Sequence, residues 1–176
     1  MKIEVTGFSG SGKSTLARKL GEIYNLPVLH VDTLHFEPNW VVRDNELLDK
    51  DLEEFIHTND SWVIDGNYYR HVPERFDEAD YIINLSFSPL TCLKRVHSRI
   101  KKYEGIQRDD QAIGCFDHPS LSFDLWVVFG SRGRKVVNRF KAIQKKYPDK
   151  IIQLKNQKQV DAFITRLVNH EPIGKN

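Results

Sequence analysis

Short apolar runs alternate with longer segments of helical period along this chain. Lys2 to Thr6 is a run with β-branched residues ended by Gly7, and Val28 to Val31, Trp62 to Ile64, Tyr81 to Leu85 and Ile151 to Leu154 have the same strand-like character. Between them, Lys13 to Tyr24 carries Leu16, Leu20 and Ile23 on one side. After Asp44, a candidate N-cap, Leu48, Leu52, Phe55 and Ile56 fall at i, i+4, i+7 and i+8. Ser88-Pro89 opens a further helix, whose buried stripe is expected at Leu90, Leu93, Val96 and Ile100, with Arg95 and Arg99 on a face away from it. Tyr103 to Pro119 has no sustained period, and its Gly105, Gly114 and Pro119 predict a mobile loop or small lid. Helix then runs to Tyr147-Pro148 with a break near Gly130 to Gly133, and Val160, Phe163, Ile164, Leu167 and Val168 mark a last amphipathic helix. Strand and helix in this alternation predict an α/β fold of three layers, a five-stranded parallel sheet with helices on both faces.

Composition narrows the reading without changing it. With 176 residues, 40% hydrophobic and 28% charged, the chain has the size of one globular domain with a core of its own. Its two cysteines, Cys92 and Cys115, form no C-x-x-C pair and are expected as reduced thiols. Lysine and arginine number 26 against 24 acidic residues, a net charge of +2, too small for nucleic-acid binding by charge alone. No run approaches the ~20 apolar residues of a membrane span. The first residues read as strand and glycine-rich loop rather than as a signal peptide, so a cytoplasmic protein is expected.

The chemistry is concentrated in Gly7-Phe8-Ser9-Gly10-Ser11-Gly12-Lys13-Ser14, which fits G-x-x-x-x-G-K-[ST] and lies between a strand and a helix. The three glycines leave backbone N–H groups free to turn inward, and the following helix adds the positive end of its dipole. This predicts a P-loop NTPase fold that binds ATP through Gly7, Ser9, Gly10, Ser11, Gly12, Lys13, Ser14 and Thr15. Lys13 would lie on the β- and γ-phosphates, and Ser14 on Mg²⁺. The metal-orienting acid is Asp65, after Trp62-Val63-Ile64, or Asp32, after Val28 to Val31. Asp65 is expected as the main Mg²⁺ partner, and Asp32 either faces the acceptor or caps the following turn. His30 and His35 are expected as core or hydrogen-bonded residues, since Mg²⁺ prefers oxygen. No N-K-x-D or T-K-x-D segment is present, which disfavours a GTPase.

Three further segments resemble adenylate-kinase-type nucleotide kinases. Asp65-Gly66-Asn67-Tyr68-Tyr69-Arg70 is similar to their D-G-F-P-R, Arg95-Val96-His97-Ser98-Arg99 to their R-[IVL]-x-x-R, and Arg108-Asp109-Asp110 to a lid R-x-D-D shortened by one residue. The P-loop word, Leu29 to His35 and Trp62 to Tyr68 resemble the bacterial DNA topology modulation (FlaR-like) family, itself adenylate-kinase-related. The resemblance implies an acceptor-binding insertion near residues 34–60 and a lid near 101–134 of a single kinase-like domain. It also implies Arg95 against the adenine, Arg99 and Arg108 as catalytic arginines on the phosphates, and Arg43 and Arg70 on the acceptor's phosphate. Arg132 and Arg134 are further candidate phosphate contacts. Asn67-Tyr68-Tyr69 replaces the F-P that shapes the monophosphate pocket in those enzymes, and Trp40 and Tyr68 are placed either to stack on a flat ring or to pack. The expected activity is ATP-dependent phosphoryl transfer to a small nucleotide-like or hydroxyl-bearing acceptor. The alternative is an ATP-binding regulator of DNA topology with little kinase activity, for which the basic run Arg132 to Lys146 is the sole candidate contact.

Overall fold

The computed structural model describes residues 1–174. Strands β1 (Lys2–Gly7), β2 (Val28–His30), β5 (Trp62–Asp65), β6 (Tyr81–Leu85) and β7 (Ile151–Leu154) form one parallel sheet in the order β2-β5-β1-β6-β7. A two-stranded antiparallel ribbon, β3 (Phe36–Glu37) and β4 (Val41–Val42), stands apart from it. The helices are α1 (Lys13–Tyr24), α2 (Asp32–His35), α3 (Asn45–Thr58), α4 (Arg75–Glu78), α5 (Pro89–Lys102), α6 (Leu121–Val128), α7 (Arg134–Lys146) and α8 (Gln157–Val168).

Strands buried on both faces need apolar residues at successive positions, and the runs at Ile3, Val5, Val63, Ile83 and Leu85 supply one face while Trp62, Ile64 and Ile82 supply the other. Leu16 and Leu20 of α1, Cys92, Val96 and Ile100 of α5, and Val160, Phe163 and Leu167 of α8 cover the first face. Leu48, Leu52 and Ile56 of α3, with Phe76 and Tyr147, cover the second. This is the predicted α/β architecture of three layers.

Local signals explain most boundaries. Asp44 accepts from the N–H groups of Glu46 and Leu47 at 2.8 and 3.2 Å and starts α3, as expected of an acidic N-cap. Ser88 caps α5 with Pro89 at the first position. Val31 leaves the second strand one residue early, because its N–H and carbonyl are taken up by Asp65 and by the turn of α2. The stripe expected on α5 is wrong at its first position. Leu90 is 76% exposed, and the buried line is Cys92-Val96-Ile100, with Leu93 only partly covered. Arg95 and Arg99 therefore flank the buried line instead of facing away from it, at i+3 and i+7 from Cys92.

Residues 34–60 contain the end of α2, the β3-β4 ribbon and α3, and 101–134 hold an irregular loop, α6 and a short 3₁₀ turn at Gly130–Arg132. The two segments touch. Asn39 donates to the Gly114 carbonyl at 3.1 Å, and the Cβ of any larger residue at Gly114 would meet Pro38 at 2.9 Å.

One feature of the centre has no precedent in the apolar pattern. Glu4 of β1 points into the second face and meets Arg75 of α4 at 2.9 Å, both fully buried. Desolvation pushes the Glu4 carboxyl up to about 8, against the opposing pull of Arg75.

Candidate nucleotide-binding site

The C-terminal edge of the sheet brings the predicted loop and its acids together. In register, Val5 pairs with Asp65 and Asp65 with His30, so β1, β5 and β2 end side by side, where open α/β sheets bind ligands. Gly7 ends β1 at φ 146°, and a Cβ there would stand 2.5 Å from the Leu85 carbonyl oxygen. A Cβ at Gly10 would meet the Cys92 carbonyl at 2.6 Å, so the turn of the loop lies flush on α5. No side chain caps α1, whose first N–H groups are left to the loop's concave side. An uncapped helix start behind a glycine-rich turn fits the phosphates of a nucleotide.

Ser14 and Asp65 sit where a cation would be oriented. The Ser14 hydroxyl donates to Asp65 Oδ2 at 2.9 Å, and Asp65 Oδ1 lies 2.5 Å from His30 Nδ1. Burial lowers the pKa of His30, yet the hydrogen bond and charge of Asp65 outweigh it and raise the value overall. Among the described residues no cluster of three or more His, Cys, Asp or Glu could hold a metal. Two oxygen donors beside an anion cradle are the donor set Mg²⁺ takes when phosphates and water complete its shell. The residues fit such an ion, which Ser14 and Asp65 would hold.

A cavity of about 590 Å³ opens from this point and is lined by Ser9, Lys13, Ser14, Asp32 and Asp65 at one side. The segment Asp65 to Tyr69 ties its parts together. Asn67 donates to the Gly7 carbonyl at 2.5 Å and accepts from the Gly7 N–H at 3.0 Å, clamping the entry of the loop. The Tyr68 hydroxyl donates to Asp32 at 2.5 Å, and the Tyr69 hydroxyl to Asn67 at 3.3 Å. Asp32 keeps access to the cavity, and its surroundings raise its pKa through desolvation, opposed by Tyr68 and Lys13.

The arginines divide. Arg99 and Arg108 both line the cavity, but each is paired: Arg99 Nε lies 2.9 Å from Asp117, and Arg108 reaches Asp117 at 2.5 Å and Asp110 at 2.6 Å. Arg18 of α1 in turn holds Asp109 at 2.5 Å, which anchors this stretch of the loop over the helix. Arg95 lies outside the cavity, stacked on Phe87 at 4.3 Å and donating to the Ser11 carbonyl at 2.7 Å, so it supports the loop from its outer side. Arg132 stacks on Phe8 at 3.9 Å and donates to Cys92 Sγ, while Arg134 is exposed.

Arg43, Arg70 and Thr15, like Arg95, Arg132 and Arg134, are not brought to the cavity. Arg43 is spent on Asp51 at 2.6 Å, Arg70 is exposed outside the lining, and Thr15 faces solvent. The physical reasons are local: β4 turns Arg43 back onto α3, Arg70 follows a bend that directs Tyr68 and Tyr69 inward, and Thr15 lies on the outer side of α1. Sequence reasoning missed Arg139, which lines the cavity from α7 and is in no ion pair among the described residues. It also missed the Asn67 clamp, whose only signal was the departure from F-P.

A P-loop NTPase fold of the kinase-like kind is what this sheet order and loop define. A family model described as an AAA domain matches residues 3–113, more than half of the chain, and the chain belongs to that family. Among solved structures it is similar to a "putative kinase" from Chloroflexus aurantiacus, at 16% identity with a TM-score of 0.55, covering 97% of this chain and 98% of that one. It is equally similar to the shikimate kinase of Acinetobacter baumannii solved with shikimate, at 16% identity with a TM-score of 0.56, covering 96% and 93%. No curated protein sequence matches it. Among the described residues no helix is long and apolar enough to cross a membrane.

Proposed function

We propose that the protein is an ATP- and Mg²⁺-dependent phosphotransferase acting on a small hydroxyl-bearing acceptor. The observation that carries this reading is the opening of Lys13, Ser14, Asp65 and Asp32 into one cavity, so that a phosphate cradle and a candidate proton acceptor face the same space. ATP with Mg²⁺ supplies the transferable γ-phosphoryl group. Lys13 neutralises charge that develops on the phosphoryl oxygens, and Ser14 and Asp65 hold the cation, with His30 keeping Asp65 in orientation. Arg99 and Arg108 exchange a carboxylate for a phosphoryl oxygen when the loop adjusts, and Arg139 is a cation that needs no such exchange. Asp32 accepts the acceptor's hydroxyl proton, and the contact between residues 38–40 and 114–116 excludes water from the cavity.

Membership of the topology-modulation family, and any effect on DNA, rest on the sequence words alone. The decisive experiment is calorimetry of the full chain with ATP analogue and Mg²⁺, followed by ADP release in the presence of candidate acceptors. Heat on binding and acceptor-dependent ADP are expected; no heat with any nucleoside triphosphate overturns the proposal.

A further inference from the structure

The part of the cavity contributed by residues 30–69 is walled by rings. Tyr68 and His35 have centroids 4.6 Å apart, His35 and Phe36 4.6 Å, and Phe36 and Trp40 5.2 Å, all half-buried and all on the cavity. Trp40 is presented under constraint. It and Asn39 take φ of 62° and 64°, the left-handed region that a residue with a Cβ rarely adopts. It is held there by Asn39 N–H on the Gly114 carbonyl, by its own N–H on Cys115 Sγ at 3.4 Å, and by Nε1 on the Phe116 carbonyl at 3.1 Å. Strain over-determined in this way, on a ring facing a cavity, is the signature of a ligand wall.

Charge narrows the ligand. Between residues 30 and 69 the lining contains no lysine or arginine, and the carboxylate beside the rings is Asp32. Arg99 and Arg108 arrive already neutralised by Asp117 and Asp110. An acceptor bearing phosphate or carboxylate beside Asp32 would have to draw its counter-charge from Arg139 of α7, since no lysine or arginine of the ring-bearing segment reaches it. A cationic acceptor would be repelled by Lys13, whose charge already acts on Asp32.

We infer that the acceptor is a neutral alcohol carrying a planar ring, of the nucleoside class, with the ring on Trp40 and the Tyr68-His35 pair and the hydroxyl on Asp32. This rests on the phosphotransferase reading above. In the transfer, the hydroxyl oxygen bonds to the γ-phosphorus, its proton passes to the Asp32 carboxylate, and the bond from γ-phosphorus to the β-phosphate oxygen breaks to release ADP.

The test is calorimetry and thermal shift of the full chain, saturated with non-hydrolysable ATP analogue and Mg²⁺, against adenosine, guanosine, cytidine, uridine, their 5′-monophosphates, shikimate and choline. At least one nucleoside binds about tenfold or more tighter than its monophosphate, Trp40→Ala weakens it by about tenfold, and Trp40→Phe restores most of it. Equal or tighter binding of a monophosphate, a response to shikimate or choline alone, no nucleoside response, or indifference to Trp40→Ala overturns the inference while leaving the phosphotransferase reading in place. Failure of the analogue itself to bind would remove that reading and the inference with it.

Discussion

The two ends of the cavity are built by different rules. The proposed phosphate end is one continuous word, Gly7 to Ser14, whose backbone forms the cradle; the ring-walled end is assembled from α2, β3, the turn at Pro38–Trp40, the Asp65 to Tyr69 segment and the loop after α5. Backbone N–H groups and a helix start are chemistry that any chain with these glycines can present. A wall of side chains from five segments exists only when the sheet and the loop contacts bring them together. The first end therefore speaks of a reaction type, and the second of a substrate.

Perturbing each end in turn should separate them. Lys13→Ala is expected to have the largest effect, lowering kcat by ~10²–10³ with the melting temperature unchanged, because it removes charge stabilisation and no packing. Retention of wild-type turnover would break the assignment of that end. Arg99→Ala should lower kcat more than it weakens nucleotide binding, by about tenfold, while Asp117 keeps its pair with Arg108; steady-state kinetics beside calorimetry gives the split.

Beneath both ends lies the Glu4–Arg75 pair. Removing one partner, as in Arg75→Met, should cost up to about 3–5 kcal/mol in urea unfolding above pH 8, where Glu4 would be left charged and alone or forced to take up a proton, and less at lower pH, where it already holds one. The pH dependence has a definite sign. The folded carboxyl, at about 8, holds its proton more tightly than the unfolded one, at 4.5, so its contribution to stability is fully present below 4.5 and declines as pH rises toward 8. Glu4→Gln should flatten that decline, measured as unfolding midpoint against pH. The smallest effect belongs to Asp44→Ala, about 1 kcal/mol from the lost α3 cap, far from both ends.

The strands and helices were legible because apolar runs and 3.6-residue stripes report burial directly. Helix α1 and strands β6 and β7 have the bounds their patterns predict. Leu90 misled because an apolar residue in the first turn of a capped helix satisfies the period without being buried. In the site, Lys13, Ser14, Asp65, Asp32, Arg99 and Arg108 reach one cavity, whereas Arg43 and Arg70 do not, since an arginine's length lets it take the nearest carboxylate or solvent. Arg139 carried no signal, being one basic residue among many on α7.

What the amino-acid sequence determined by itself is the layered sheet and the phosphate cradle, because both follow from periodicity and from glycines at fixed spacing within a short stretch of chain. Tertiary structure alone decided which arginines are free, that Asn67 clamps Gly7, that Glu4 is buried against Arg75, and which rings face the cavity. Those outcomes depend on pairings between residues as much as 91 apart in sequence, as Arg18 and Asp109 are. Such pairings become definite only when the register of the sheet and the close packing of the loops have set the distances.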